Sequence, residues 1–90
     1  MICRQVLISG KVQGVFFRSS MKAIADELKV VGWVRNREDG SVEALLQGDK
    51  SSVDKVIDWS KRGPDGARVD SVDHFELPCK DHYRNFSILY

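Results

Sequence analysis

Apolar residues in this chain change spacing in an order that few folds can use. Val6-Leu7-Ile8 is a short apolar run closed by Gly10. It suits a central strand over Cys3 to Ser9 with Val6 and Ile8 on one face. Met21, Ile24, Ala25 and Leu28 follow at i, i+3, i+4 and i+7, the stripe of a helix over Ser19 to Lys29 with Gly32 as its stop. Strand-like runs return over Trp33–Arg37 and Val42–Gln47, around Glu38-Asp39-Gly40-Ser41, whose Asp-Gly step is a hairpin signal. Val42, Ala44 and Leu46 share the inward face of the latter run, and Gly48 ends it. Ser51-Ser52-Val53-Asp54 resembles a helix N-cap with an acid in its first turn. Val53, Val56, Ile57 and Ser60 make the buried stripe of that helix; Lys61-Arg62 sit in its last turn and Gly63-Pro64 stops it.

After a loop over Pro64–Ala67, Arg68–Glu76 reads as another strand. Val69 and Phe75 share a parity that Val72 breaks, which predicts a bulge or an edge strand with one residue facing out. Pro78–Tyr83 is a polar connection, and Phe86–Tyr90 a short last strand with Phe86, Ile88 and Tyr90 turned inward. The order is β-α-β-β-α-β with one extra strand. That predicts an α+β, ferredoxin-like split β-α-β sandwich: one antiparallel sheet of four to five strands, with both helices on one face.

A chain of 90 residues makes one domain, spanning 1–90. With 14 basic and 13 acidic residues its net charge is +1, whereas a general nucleic-acid or membrane binder carries a strong positive excess. Any anion it binds is therefore small and met by local groups. No run approaches the roughly 18–20 apolar residues of a membrane span. The N-terminus, Met1-Ile2-Cys3-Arg4-Gln5, has no apolar signal region. A cytoplasmic location is the expectation. Cys3 and Cys79 suit neither a disulfide framework nor a zinc site and read as two reduced thiols, although the expected sheet, with the fourth strand antiparallel beside the first, makes a bond between them geometrically possible. Asn85-Phe86-Ser87 matches a glycosylation sequon but falls inside a predicted strand and reads as chance.

Gly10-Lys11-Val12-Gln13-Gly14-Val15-Phe16-Phe17-Arg18 joins the first strand to the first helix. A glycine-punctuated turn into a helix N-terminus aims unpaired N–H groups and the positive end of the helix dipole at one point. Curled N–H groups of residues 13–18 would form a phosphate-sized nest, and Arg18 adds a charge able to grip two oxygens. A tight strand-to-helix turn with a surface arginine satisfies the same pattern. Asn36 is equally open. It ends a strand between Arg35 and Arg37, where asparagine is a poor strand former. It either prepares the following turn through an Asx bond or reaches the anion site and holds a water.

Ile8–Arg18 resembles, position for position, the first signature of the acylphosphatases. Gly32-Trp33-Val34-Arg35-Asn36-Arg37-Glu38-Asp39-Gly40-Ser41-Val42, with five further residues to Gly48, resembles the second. Phe86-Ser87-Ile88 fits near the end, so the resemblance spans essentially the whole chain. It implies hydrolysis of an acyl phosphate to a carboxylate and inorganic phosphate, the latter also an inhibitor. It implies Arg18 as the phosphate-binding arginine and Asn36 as the residue orienting the attacking water. The backbone of Gln13, Gly14, Val15, Phe16, Phe17 and Arg18 becomes the phosphate cradle. No metal and no cofactor are implied, and the expected working form is a monomer acting on a small molecule. The family's sheet order places the Arg18 loop beside the end of the second strand, within reach of Asn36.

The chemistry is consistent with those few groups. A carboxylate leaving group, with a conjugate-acid pKa near about 4–5, departs without a general acid. Phosphoryl transfer through a loose transition state needs mainly positioning and charge stabilisation. The substrate's own phosphate oxygen suffices as proton acceptor. His74 and His82 read as surface residues, Asp39 as a turn residue rather than a metal ligand, and Phe17 and Trp33 as core. Two other functions fit the element order. One is a non-catalytic module that binds a small anion such as phosphate. The other is an RNA-binding domain, disfavoured because the central strands offer Val6, Leu7, Ile8, Val42, Leu45 and Leu46 and no aromatic platform.

Overall fold

Val6 and Ile8 are fully buried, as are Val42, Ala44 and Leu46, so the period-2 alternation of two strands builds one apolar sheet face. The computed structural model describes residues 1–90. Its elements are β1 (Ile2–Lys11), α1 (Phe17–Glu27), β2 (Val31–Asn36), β3 (Val42–Gly48), α2 (Lys50–Ser60), β4 (Arg68–Leu77) and β5 (Phe86–Leu89). The strand order is β4-β1-β3-β2-β5. Phe17, Met21 and Ala25 of α1 and Val53, Val56 and Ile57 of α2 join the buried strand residues in one cluster. Both helices therefore cover the same face. Burying each such side chain stabilises the fold by about 1.5–3 kcal/mol before entropy is counted.

The ferredoxin-like plan holds, but the sheet is mixed rather than antiparallel. β1 pairs antiparallel with β3 and β4, and β2 with β3, whereas β5 lies parallel to β2. The cause is topological. β4 finishes at the end of the sheet where β2 begins, so a strand started there on the far edge must run with β2. A bulge in β4 explains its broken parity: Ser9 faces Ser71 while Gly10 faces Val69, leaving Asp70 as the extra residue. Val69 and Val72 consequently both pack against the core.

Most strand and helix ends lie a residue or two from the local pattern, α1 starting at Phe17 and β2 at Val31, and two start or stop signals do not act as that pattern predicts. Gly32 does not stop α1; Lys29 turns the chain out in a left-handed conformation (φ 60), and Gly32 lies inside β2. A Cβ there would stand 1.9 Å from the Leu45 carbonyl oxygen, at a φ of 132, so only glycine lets β2 close on β3. α2 begins at Lys50 with Asp49 as its N-cap and no side-chain capping bond, upstream of the Ser51–Asp54 signal.

The opposite sheet face carries four residues that its strand patterns did not announce, Trp33, Gln47, Cys3 and Glu43. Trp33 is half-buried there, with the Arg35 guanidinium 5.7 Å from its ring centre, and is not in the core. Gln47 is buried (1% exposed). It donates to the Asp81 carbonyl (2.6 Å) and accepts from the Tyr83 N–H (3.0 Å), pinning the 78–85 connection. Cys3 and Cys79 are joined as a disulfide with Cα atoms 5.5 Å apart, which overturns the expectation of two reduced thiols. The register explains it: Cys3 faces Leu77, so the chain turns Cys79 back over Cys3 just past the end of β4. The bond spans 76 residues and restricts the unfolded chain by about 4 kcal/mol in the chain-entropy picture.

Glu43, also on that face, is 5% exposed. Gln5 Nε2 donates to it at 2.6 Å, and Arg35 reaches it at 2.7 Å through Nε and 2.6 Å through Nη2. Burial pushes its carboxyl up, but the bonds from Arg35 and Gln5 outweigh this and hold it below its ordinary value of 4.5. A depressed folded-state value means the contribution is complete above 4.5 and is lost as pH falls through the folded value. Glu43→Gln should therefore cost about 1–3 kcal/mol at neutral pH, and urea midpoints of the two proteins should converge in acid. Parallel pH curves would remove Glu43 as the source.

Candidate active site

The segment between β1 and α1 is held in shape by alternating backbone hand. Gly14 (φ 76) and Phe16 (φ 62) are left-handed, and Val15 between them is not. A Cβ on Gly14 would meet nothing within 4 Å, so the twist and not crowding calls for glycine. This alternation is the geometry of an anion-binding nest. No backbone N–H of residues 13–16 donates in the turn and loop hydrogen bonds. The first N–H groups of α1 likewise have no helical acceptor. Phe16 is the N-cap residue and makes no side-chain capping bond, so these donors stay free.

Buried residues pin the segment at both ends. Val12 and Phe17 are 1% and 2% exposed, and the Phe17 ring packs on Trp59 with centroids 5.2 Å apart. The Val15 side chain packs against the same core. Gln13 does something its place in a backbone cradle did not suggest. Its side-chain Nε2 donates to the Arg37 carbonyl at 2.7 Å and the Ser41 carbonyl at 2.9 Å. This ties the segment to the β2–β3 turn directly after Asn36.

The hydrogen bonds of that turn run through other residues. Asp39 Oδ1 accepts from the Ser41 N–H (2.9 Å) and hydroxyl (2.5 Å), and the Arg37 N–H donates to the Ser41 carbonyl (2.8 Å). The Ser41 hydroxyl, then its N–H, with the charge of Arg37 adding to them, hold the Asp39 carboxyl below its ordinary value. Asp39 thus makes the Asx-type bond that Asn36 was a candidate for. Asn36, the last residue of β2, instead lines a hollow of about 420 Å³.

Arg18 lines the same hollow and is its only charged side chain. Its Nη1 donates to the Leu89 carbonyl at 3.2 Å, and its guanidinium lies 4.9 Å from the centre of the Tyr90 ring. Gly14, Phe16 and Phe17 also reach the hollow; the side chains of Gln13 and Val15 do not. Ile88 and Tyr90 complete the wall from β5 and the residue after it. The alternation along β5 predicted Tyr90 inward, but it is 99% exposed. Only the placing of β5 beside β2 brings it to Arg18, and no local signal carries that. His74 lies against Arg4, its Nδ1 3.1 Å from Nη1, and His82 lines a separate hollow with Lys29. No group of three His, Cys, Asp or Glu side chains converges as a metal-binding cluster.

Comparisons with known proteins point to one family. The acylphosphatase family profile matches residues 4–88. An acylphosphatase of Pyrobaculum islandicum is 55% identical over 83 residues, covering 91% of this chain and 87% of the relative. One from Acaryochloris marina is 50% identical over 88 residues, covering 98% and 94%. The crystal structure of acylphosphatase from Bacillus subtilis superposes with a TM-score of 0.96 at 33% identity, over 100% of both chains. A profile match across almost every residue, on a fold shared end to end with a solved relative, makes this chain a member of the acylphosphatase family.

Proposed function

We propose that the hollow between Gly14, Arg18 and Asn36 is where this acylphosphatase splits the carboxyl–phosphate bond of acyl phosphates, and that it does so without a metal. One observation carries the reading. Arg18, the only charged side chain of the hollow, shares its wall with the segment of free backbone donors and with Asn36, whose amide the turn does not use. The phosphate oxygens accept from the N–H groups of residues 13–18 and from Arg18. A water held by the Asn36 amide attacks phosphorus. The bond from phosphorus to the acyl oxygen breaks, its electron pair leaves on the carboxylate, and the water proton passes to a phosphate oxygen. Donors already aimed at the transferring group need no reorganisation as its charge shifts, which is where such sites gain most of their rate.

Action as a monomer on a small-molecule substrate is part of the proposal. No helix is long and apolar enough to cross a membrane. Benzoyl phosphate with chelator present and no metal added is the deciding substrate. Benzoate release should proceed at full rate and be inhibited competitively by inorganic phosphate. Turnover that stops with chelator and returns with a divalent cation would refute metal independence. Phosphate binding without turnover would favour a non-catalytic phosphate-binding module.

A further inference from the structure

Phe16 is the residue that local physics least favours in its place. Helix N-caps select Ser, Thr, Asp or Asn, left-handed backbone selects Gly or Asn, and water disfavours a bare ring. Phe16 is nonetheless the N-cap of α1 at φ 62 and is 81% exposed. Tyr90, 99% exposed, borders the same hollow. Two large aromatic side chains thus stand open at the mouth of a site whose only charged side chain is Arg18. At about 420 Å³, the hollow falls in the size range of small-molecule pockets.

We propose that Phe16 and Tyr90 form an aromatic rim for the acyl part of the substrate, so that the enzyme favours acyl phosphates with a flat, uncharged acyl group. An aroyl phosphate is the simplest member of that class. The inference rests on the reading of the hollow as the acyl phosphate site. With Arg18 engaged by the phosphate, no other ionic side chain lines the hollow, so a charged acyl group gives up hydration and gains no partner there. A planar ring covers exposed Phe16 and Tyr90 surface and adds an aromatic contact. The binding energies of such contacts correspond to a selectivity of about tenfold or more over an acetyl group. No chemical step beyond the hydrolysis is required.

The test is kcat/KM for benzoyl and acetyl phosphate, measured side by side on the wild type, Phe16→Ala, Phe16→Asn, Phe16→Tyr and Tyr90→Ala. The readout is the benzoyl-to-acetyl ratio, and its change on substitution cancels the intrinsic reactivity of the two substrates. The wild-type ratio should favour benzoyl by about tenfold. It should fall severalfold in Phe16→Ala and Tyr90→Ala and persist in Phe16→Tyr. Phe16→Asn suits the left-handed backbone, and gives the same readout should the alanine variant fail to fold. Equal use of both substrates by the wild type overturns the rim and leaves the acylphosphatase reading standing. A Phe16 variant that slows both substrates alike also overturns it, because that marks a loop-shaping role. Hydrolysis of neither substrate by the wild type overturns both readings.

Discussion

Arg18→Gln is expected to lower turnover by about 10³–10⁵-fold, the range seen when an arginine that stabilises a transferring phosphoryl group is removed. Inhibition by inorganic phosphate should weaken severely in the same variant, because ground state and transition state share the charge that Arg18 supplies. The fold should survive. Arg18 is partly exposed, makes one bond of 3.2 Å to the Leu89 carbonyl, and lies over Tyr90. Losing these contacts costs about 1 kcal/mol, to be read from urea midpoints. Glutamine keeps a hydrogen-bond donor for Leu89 and removes the fork and the charge, so the kinetic loss can be assigned to them. Near-normal phosphate inhibition in a folded Arg18→Gln would take Arg18 out of the phosphate site.

Asn36→Ala should behave differently. Turnover should drop by about 10²–10³-fold, the scale of losing one positioned amide or misplacing a reactant by about an ångström. The inhibition constant for inorganic phosphate should stay close to wild type, because product binding needs no attacking water. The hydrogen bonds of the β2–β3 turn pass through Asp39, Arg37 and Ser41, so the turn should persist without the Asn36 side chain. Loss of phosphate inhibition in step with turnover would make Asn36 a phosphate ligand and end its role in holding water. Comparing the two variants separates charge stabilisation from positioning, which neither does alone.

The second strand shows what sequence could and could not say. Its hairpin partner was legible from Asp39-Gly40 between two alternating runs, because a tight turn leaves adjacent strands no choice but to pair. Trp33 was misplaced as core. Alternation separates two faces, but a sheet covered on one side also half-buries large residues on the other, and nothing local says which face the helices take. Gly32 was misread because a glycine after a helix looks like a stop, whereas its role is to let the Leu45 carbonyl approach from β3. Gln47 and Glu43 sit at ordinary polar positions of a strand pattern. Their burial depends on the 78–85 connection, Gln5 and Arg35, all distant in sequence.

What the sequence alone determined is what repeats over a few residues: the order of elements, the inward faces of β1 and β3, the buried stripes of both helices, and a glycine-bearing turn that runs from β1 to Arg18. Spacing of 2 or 3.6 is written in adjacent residues and needs no partner to be read. The tertiary structure decided what depends on which edges meet. It set β5 parallel to β2 and so brought Tyr90 to Arg18. It crossed Gln13 to the turn after Asn36 and joined Cys3 to Cys79. Those contacts join residues far apart in the chain, and they exist only once strand register and sheet order have been set by burial of the whole core at once.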